Sequence, residues 1–332
     1  MTNSAWRPSE DELIARFFAP LAGEGGLGLA EDAALLRPAL GHDLVLTADG
    51  VAAGVHFLPD DPPASVARKA LGVNLSDLAA KGAEPVGFLL TLALPDDWTE
   101  AWLTGFSQGL GQAAEASRCP LLGGDTVRAN GPLWTSVTAL GQVPAGRMVR
   151  RGGARPGDRL CVTGTIGDAA LGLALRTGDP PAWAARLSDL QREHLADRYL
   201  HPRPRLAVAA ALRTYASAAM DVSDGLAGDL AKMMRASGTS ASVDLNAVPL
   251  SPAARTALAN DPSLIDRLVT GGDDYEILCA VPDERLTGFV ADAAAAGIEA
   301  TVIGRVDQGE GQPVFRDGDR EHRYERGSFS HF

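Results

Sequence analysis

The chain has three cysteines, no excess of basic residues, and no apolar run approaching the roughly 20 residues that a bilayer-spanning helix needs. Cys119, Cys161 and Cys279 are widely spaced, without a CxxC pair, which argues against both a disulfide framework and a zinc site. They read as core residues. Thirty Lys and Arg against 42 Asp and Glu give a net charge of -12, which argues against a nucleic-acid binder, because affinity for that backbone comes mainly from Lys and Arg. If the substrates are phosphates, bound metal cations must mediate. The phosphate loop GxxxxGK[ST] is missing, and so are the HRD and DFG motifs of protein kinases. The opening "MTNSAWRPSEDEL" is polar and acidic with no signal-peptide core, so the expected location is the cytoplasm, with neither membrane nor nucleic acid as a partner.

What is present is an ordinary globular composition, 45% hydrophobic and 22% charged, spread over 332 residues. That length exceeds what one core usually serves, and "RRGGARPGD" reads as a linker, so two domains are expected, 1–148 and 149–332. Both halves mix helices and strands, and the expected class is α/β (α+β) with mixed sheets. In the first half the patterning predicts an opening helix from Ser9 to Leu21 and a strand from Leu44 to Thr47 closed by an Asp49-Gly50 turn. A buried strand "GFLLTLALP", a helix "TEAWLTGFSQGLGQAAEAS", a strand "CPLLGGDTV" running into a Gly turn, and a strand "LWTSVTALGQV" follow. In the second half it predicts strands at Leu160–Thr163, Ala241–Leu245, Tyr275–Val281 and Ala300–Ile303. Helices are expected from Asp168, Pro204–Ala216, Asp224–Ala236 and Leu286–Ala296. Gly23, Gly25 and Gly28 match GxGxxG, but they follow a helix, and no dinucleotide site is inferred.

"VNLSDLAAKGAEP" reads as the end of a helix entered near Pro62, Pro63 and Ser65 and stopped by Gly82 and Pro85. Leu71, Leu75 and Leu78 make its apolar face; Ala70, Asn74, Asp77 and Lys81 make the adjacent stripe. A carboxylate therefore borders the buried face. Further aspartates stand where elements end in small residues: Asp32, Asp49, Asp125, Asp221 and Asp224. Singly each has an ordinary reading: Asp49 as a turn former, Asp125 as a loop residue, and Asp224 with Ser223 as a helix cap. Gathered together they would repel unless cations neutralised them, and oxygen ligands without a His or Cys cluster suit Mg²⁺. Metal-mediated phosphoryl transfer is the leading chemistry.

"EDAALL", "LTADGVAAGVHF", "KALGVNLSDLAAKGAEP", "LLGGDT", "RGGARPGDRLCVTGTIGD", "DVSDGLAGDL" and "GGDDYEIL" resemble thiamine-monophosphate kinase, in that family's order and over most of the chain. The resemblance implies the two-domain fold shared with aminoimidazole ribonucleotide synthetase. It also implies a homodimer paired through the N-terminal domains, ATP, several Mg²⁺ ions, and conversion of thiamine monophosphate to thiamine diphosphate. It further implies metal ligands at Asp32, Thr47, Asp49, Asp77, Asp125, Asp221 and Asp224, ATP contacts at Gly124, Asp125, Arg151 and Ser223, and acceptor contacts at His56, Asp273 and Phe329. On this reading 1–148 carries the metal and ATP site and the dimer interface, and 149–332 completes the nucleotide and substrate site.

Three positions depart from the family pattern: the paired acids are Glu31-Asp32, the strand end is Thr47-Ala48-Asp49, and the usual Glu of GGEDYE is Asp273. The acceptor the resemblance implies is a phosphate monoester, whose second pKa near 6 leaves it largely dianionic at neutral pH. No residue is therefore needed as general base or nucleophile, and direct transfer is expected. An ATP-dependent synthetase of the same superfamily and a catalytically silent sensor of nucleotide or thiamine phosphate are the alternative readings.

Overall fold

The computed structural model describes residues 8–324. Contacts divide the chain into two units, one running up to Asn74 and resuming over Pro85–Gln142, the other comprising Leu75–Glu84 and everything from Val143. Among the described residues no helix is long and apolar enough to cross a membrane.

The first unit opens with α1 (Glu10–Leu13), where Ser9 and Glu12 form a reciprocal capping box. The expected helix to Leu21 is present but not uniform: a wide turn over Ile14–Phe18 and a tight one over Ala19–Leu21 follow α1. Pro20 accounts for this, since it has no N–H to donate back and its ring crowds the preceding turn. Strand β1 (His42–Ala52), helix α2 (Pro63–Ala80), strand β2 (Glu84–Leu94), helix α3 (Glu100–Ser117) and strands β3 (Leu121–Arg128) and β4 (Trp134–Pro144) follow. The sheet order is β1-β4-β2-β3, with β2 and β3 parallel.

Two sequence expectations fail here. Asp49-Gly50 is not a turn: β1 runs on to Ala52, and its pairing continues as Ala53 N–H donates to Leu133 O at 2.9 Å. The chain turns only afterwards, around Gly54. Nor does "GGDT" turn, because β3 passes straight through it with Leu90 opposite Gly124 and Thr91 opposite Asp125. Gly124 serves close approach instead, since a Cβ there would lie 1.9 Å from Leu90 O.

In the second unit a seven-stranded sheet is built from β5 (Arg159–Thr163), β6 (Ala218–Val222), β7 (Ser240–Asp244), β8 (Glu276–Val281), β9 (Ala300–Asp307), β10 (Val314–Asp317) and β11 (Arg320–His322), ordered β11-β10-β7-β9-β5-β8-β6. Alternate residues enter opposite cores. Leu160, Val162, Met220 and Leu278 pack on one face against Leu230 and Met233, while Cys161, Ala219 and Cys279 pack on the other against Leu212 and Phe289. All three cysteines are buried and free, as composition suggested.

The helices of this unit are α4 (Asp168–Arg176), α5 (Asp189–Leu200), α6 (Ala209–Tyr215), α7 (Leu226–Ser237), α8 (Pro252–Asn260), α9 (Leu264–Thr270) and α10 (Leu286–Ala295). Two starts differ from expectation: the helix assigned to Pro204 becomes regular only at Ala209, and that assigned to Asp224 only at Leu226. The sequence reading also passes over α5, although Ser188 and Gln191 form a capping box at its entry.

Asp168, at the start of α4, is fully buried and accepts hydrogen bonds from Ser251 Oγ (2.5 Å), Thr165 Oγ1 (2.6 Å) and His194 Nε2 (3.0 Å). Burial alone would raise its pKa, but these partners outweigh it and hold the carboxyl below its usual 3.8. A depressed carboxyl stabilises the fold above the unfolded-state value, near 3.9, and loses that contribution as pH falls through the folded-state value. The Tm gap between wild type and Asp168→Asn is therefore expected to stay constant above about pH 5 and to narrow below about pH 4 in thermal melts.

Candidate functional site

In the first unit Thr47 and Asp49 fall at two-residue steps between the buried Val45 and Val51, which places them on the same, inner face of β1. The Asp49 N–H donates to Asn74 Oδ1 at 3.0 Å, and Asn74 Nδ2 donates to Ala70 O at 3.0 Å. The fully buried Asn74 thus ties β1 to α2. His56 sits in the turn after β1, its Nδ1 accepting from Ala52 N–H at 3.1 Å, which puts the proton of the neutral ring on Nε2.

Asp125 lies beside Thr91, on the sheet face opposite the buried Leu90 and Leu92. Together with Gly124 and Asp32 it lines a cavity of about 730 Å³, whose wall is completed by apolar residues such as Phe18 and Leu140. The structure therefore groups Asp32, Gly124 and Asp125, and separately Thr47 and Asp49 near Asn74.

In the second unit Asp221 stands on β6, on the face of Ala219, where Ala79 and Ala80 of α2 also pack. Asp77 lies one helical turn before those alanines. Burial, and next the charge of Asp77, push the Asp221 carboxyl up to about 7. Lys81 Nζ donates to Ala219 O at 2.9 Å. Burial lowers its pKa, Asp221 opposes that fall, and Arg151 adds to it. Asp77, Asp221, Lys81 and Arg151 thus share one electrostatic neighbourhood.

The loop after β6 is pinned by a residue the sequence reading passes over. Asp229, in the first turn of α7 and fully buried, accepts from the N–H groups of Ser223 (3.0 Å) and Asp224 (2.9 Å). It is Asp229, not Asp224, that satisfies these amides. Lys232 bridges Asp229, at 2.8 Å, and Asp224. The spacing of Asp229 and Lys232 on a helix is a readable signal for that bridge.

Asp273 is drawn to the same loop, its N–H donating to Ser223 O at 2.8 Å. Glycine makes this approach feasible: a Cβ on Gly272 would lie 2.4 Å from Ser223 O, and one on Gly225 2.5 Å from Thr270 O. Phe329 lies outside the described residues.

Among the described residues no three His, Cys, Asp or Glu side chains converge closely enough to hold a metal ion. The donor set nevertheless suits a hard cation, because it is all oxygen and because Asp221 is buried against a like charge that a divalent ion would neutralise.

Models of the AIR synthase related protein match the chain in two parts, the N-terminal domain over residues 30–143 and the C-terminal domain over 155–316. A thiamine-monophosphate kinase from Caulobacter vibrioides is 44% identical over 316 residues, spanning 94% of this chain and 88% of the relative. The chain belongs to the thiamine-monophosphate kinase family. As a member it is a kinase, with that family's two-domain fold.

Among solved structures, the thiamine-monophosphate kinase from Stenotrophomonas maltophilia superposes with a TM-score of 0.78 at 40% identity, covering 85% of this chain and 88% of that one. A structure of AaThiL complexed with AMPPCP and TMP superposes with a TM-score of 0.73 at 30% identity, covering 96% and 99%.

Replacing Asp229 by Ala leaves two loop amides without their acceptor and Lys232 with Asp224 alone. The expected result is a loss of about 2 kcal/mol in urea unfolding, together with a fall in turnover larger than the unfolded fraction explains.

Proposed function

We propose that this chain phosphorylates thiamine monophosphate with ATP by direct, in-line, Mg²⁺-assisted transfer, forming thiamine diphosphate. The observation that carries the mechanism is the buried Asp221 carboxylate, pushed up to about 7 by its burial and by the like charge of the half-buried Asp77. In a phosphotransferase with a net charge of -12, such a pair is best explained as a cation site. The ligands AMPPCP and TMP in the AaThiL complex support the pairing of a nucleotide with the acceptor.

Asp32, Thr47, Asp49, Asp77, Asp125, Asp221 and Asp224 would hold the ions. When bound, Mg²⁺ supplies neutralisation of the two polyanions and their alignment. Everything else falls to the chain. Gly124, Asp125, Arg151 and Ser223 orient the nucleotide, and His56, Asp273 and Phe329 receive the acceptor. The acceptor phosphate is already dianionic, so no side chain has to take a proton from it. Residues 1–148 carry the metal and ATP site, residues 149–332 complete it, and the enzyme works in the cytoplasm.

The proposal is tested by ³¹P NMR with ATP, Mg²⁺ and thiamine monophosphate. Stoichiometric thiamine diphosphate and ADP, absent without metal or acceptor, are expected; binding of both ligands without turnover would overturn it. Asp77→Asn is expected to fold with an unchanged or higher Tm, because a like charge is removed, and to lose roughly 10–100-fold in metal-dependent turnover.

A second copy of the chain is the proposed partner. Leu44 and Leu46 of β1, Leu89 of β2, Val127 of β3 and Trp134 of β4 are exposed, and Leu46 is 61% accessible. They form an apolar patch on the sheet face that also carries Asp125, and monomers rarely keep large patches of that kind exposed. Leu46→Lys is expected to shift the mass in analytical ultracentrifugation from dimer to monomer.

A further inference from the structure

Glu276 begins β8, immediately after the segment that carries Asp273, and is fully buried. Its Oε1 accepts from Arg198 Nη2 at 2.9 Å and from Arg205 Nη2, and its Oε2 accepts from Arg205 Nε at 2.6 Å and Thr163 Oγ1 at 2.7 Å. Two guanidinium groups and a hydroxyl thus converge on one carboxylate. A buried ion cluster is poor evidence of added stability, because desolvation consumes most of the attraction. What it does supply is a fixed geometry, and the neighbouring backbone needs one.

Asp273 has φ of 71° and Tyr275 φ of 51°, both in the left-handed region that residues other than glycine avoid. Such a backbone persists only where its surroundings dictate it. Here the determinants can be named. Arg198 Nη2 donates to Asp274 O at 3.0 Å as well as to Glu276, so one guanidinium spans the segment and its anchor. Asp274 is itself buried, and its Oδ2 accepts from Gly167 N–H at 2.8 Å. From the other side Tyr275 N–H donates to Val222 O and Asp273 N–H to Ser223 O, both at 2.8 Å. The product of this bracing is the placement of Asp273, whose Oδ1 accepts from Tyr275 Oη at 3.2 Å.

We propose that Glu276, clamped by Arg198 and Arg205, is a positioning residue for acceptor binding: it holds Asp273 and Tyr275 in left-handed backbone and so fixes the Asp273 carboxylate. This rests on the assignment of Asp273 to thiamine monophosphate.

The test is steady-state kinetics of full-length Glu276→Gln, with circular dichroism and gel filtration to establish the fold. KM for thiamine monophosphate is expected to rise roughly 10–100-fold, with KM for ATP within about twofold of wild type. Tyr275→Phe, which keeps the ring and deletes one hydrogen bond to Asp273, is expected to shift the same constant by a smaller factor. An unchanged acceptor KM, or equal losses for both substrates, would overturn the positioning role and show a merely structural cluster. Should Glu276→Gln fail to fold, Arg205→Lys and Tyr275→Phe decide by the same selectivity. If the wild type binds thiamine monophosphate calorimetrically but does not turn over, the proposed activity fails; weaker binding by the variant still supports positioning, and equal binding refutes it. Absence of wild-type binding sinks both.

Discussion

A carboxylate taken out of water must be given hydrogen-bond donors, a countercharge or a proton, and the second unit meets that demand differently at each of its buried acids. Asp168 receives three side-chain donors and stays ionised below the usual range. Glu276 receives two arginines. Asp274 has one backbone donor to Oδ2 and a second oxygen without a partner, and burial raises its pKa well above that of an ordinary aspartate. At Asp221 burial and Asp77 push the carboxyl upward, and Ser76 and Lys81 only partly offset them. The donors around Asp168 and the arginines around Glu276 secure the scaffold. At Asp221 the proposed Mg²⁺ would add the countercharge.

Placing these acids depends on backbone approaches that side chains would prevent. Gly225 and Gly272 let the loop after β6 and the segment before β8 interleave at distances a Cβ cannot tolerate. Gly124 does the same for β2 and β3. In each case a glycine beside an aspartate marks a strand or loop pressed against its neighbour, and the aspartate is carried to a defined place. Sequence inspection reads Asp49-Gly50 and Gly124-Asp125 as turns because turn propensity is local, yet both pairs lie within strands, and at Gly124 close approach to Leu90 is the reason for the glycine.

The α2 helix was legible before any coordinates, since Leu71, Leu75 and Leu78 repeat at helical spacing and all three are buried. The nearness of Asp77 to Asp221 was suggested by the recurrence of aspartates at element ends and by the family resemblance, and by no local pattern, as the two lie far apart in sequence. Asp229, Lys232, Arg198 and Glu276 were not singled out, because each is an unremarkable charge until its partner is known. Strands β10 and β11 were missed because Val314–Asp317 and Arg320–His322 are too short to show a period.

The aspartate at position 273, where the family pattern has glutamate, has a backbone explanation. Its φ of 71° lies where Asp and Asn are several-fold enriched over other side chains, because a short polar group can bond locally. Strain of this kind costs of order 1–3 kcal/mol per residue. Tyr275, bulky and also left-handed, gains no such relief, so most of the bracing falls on it: its N–H is held by Val222 O and its successor is Glu276. Asp at 273 lowers the strain the Glu276 cluster must hold, in exchange for a carboxylate one methylene shorter. The departure shifts the division between backbone strain and side-chain reach, and leaves the charge of the side chain unchanged.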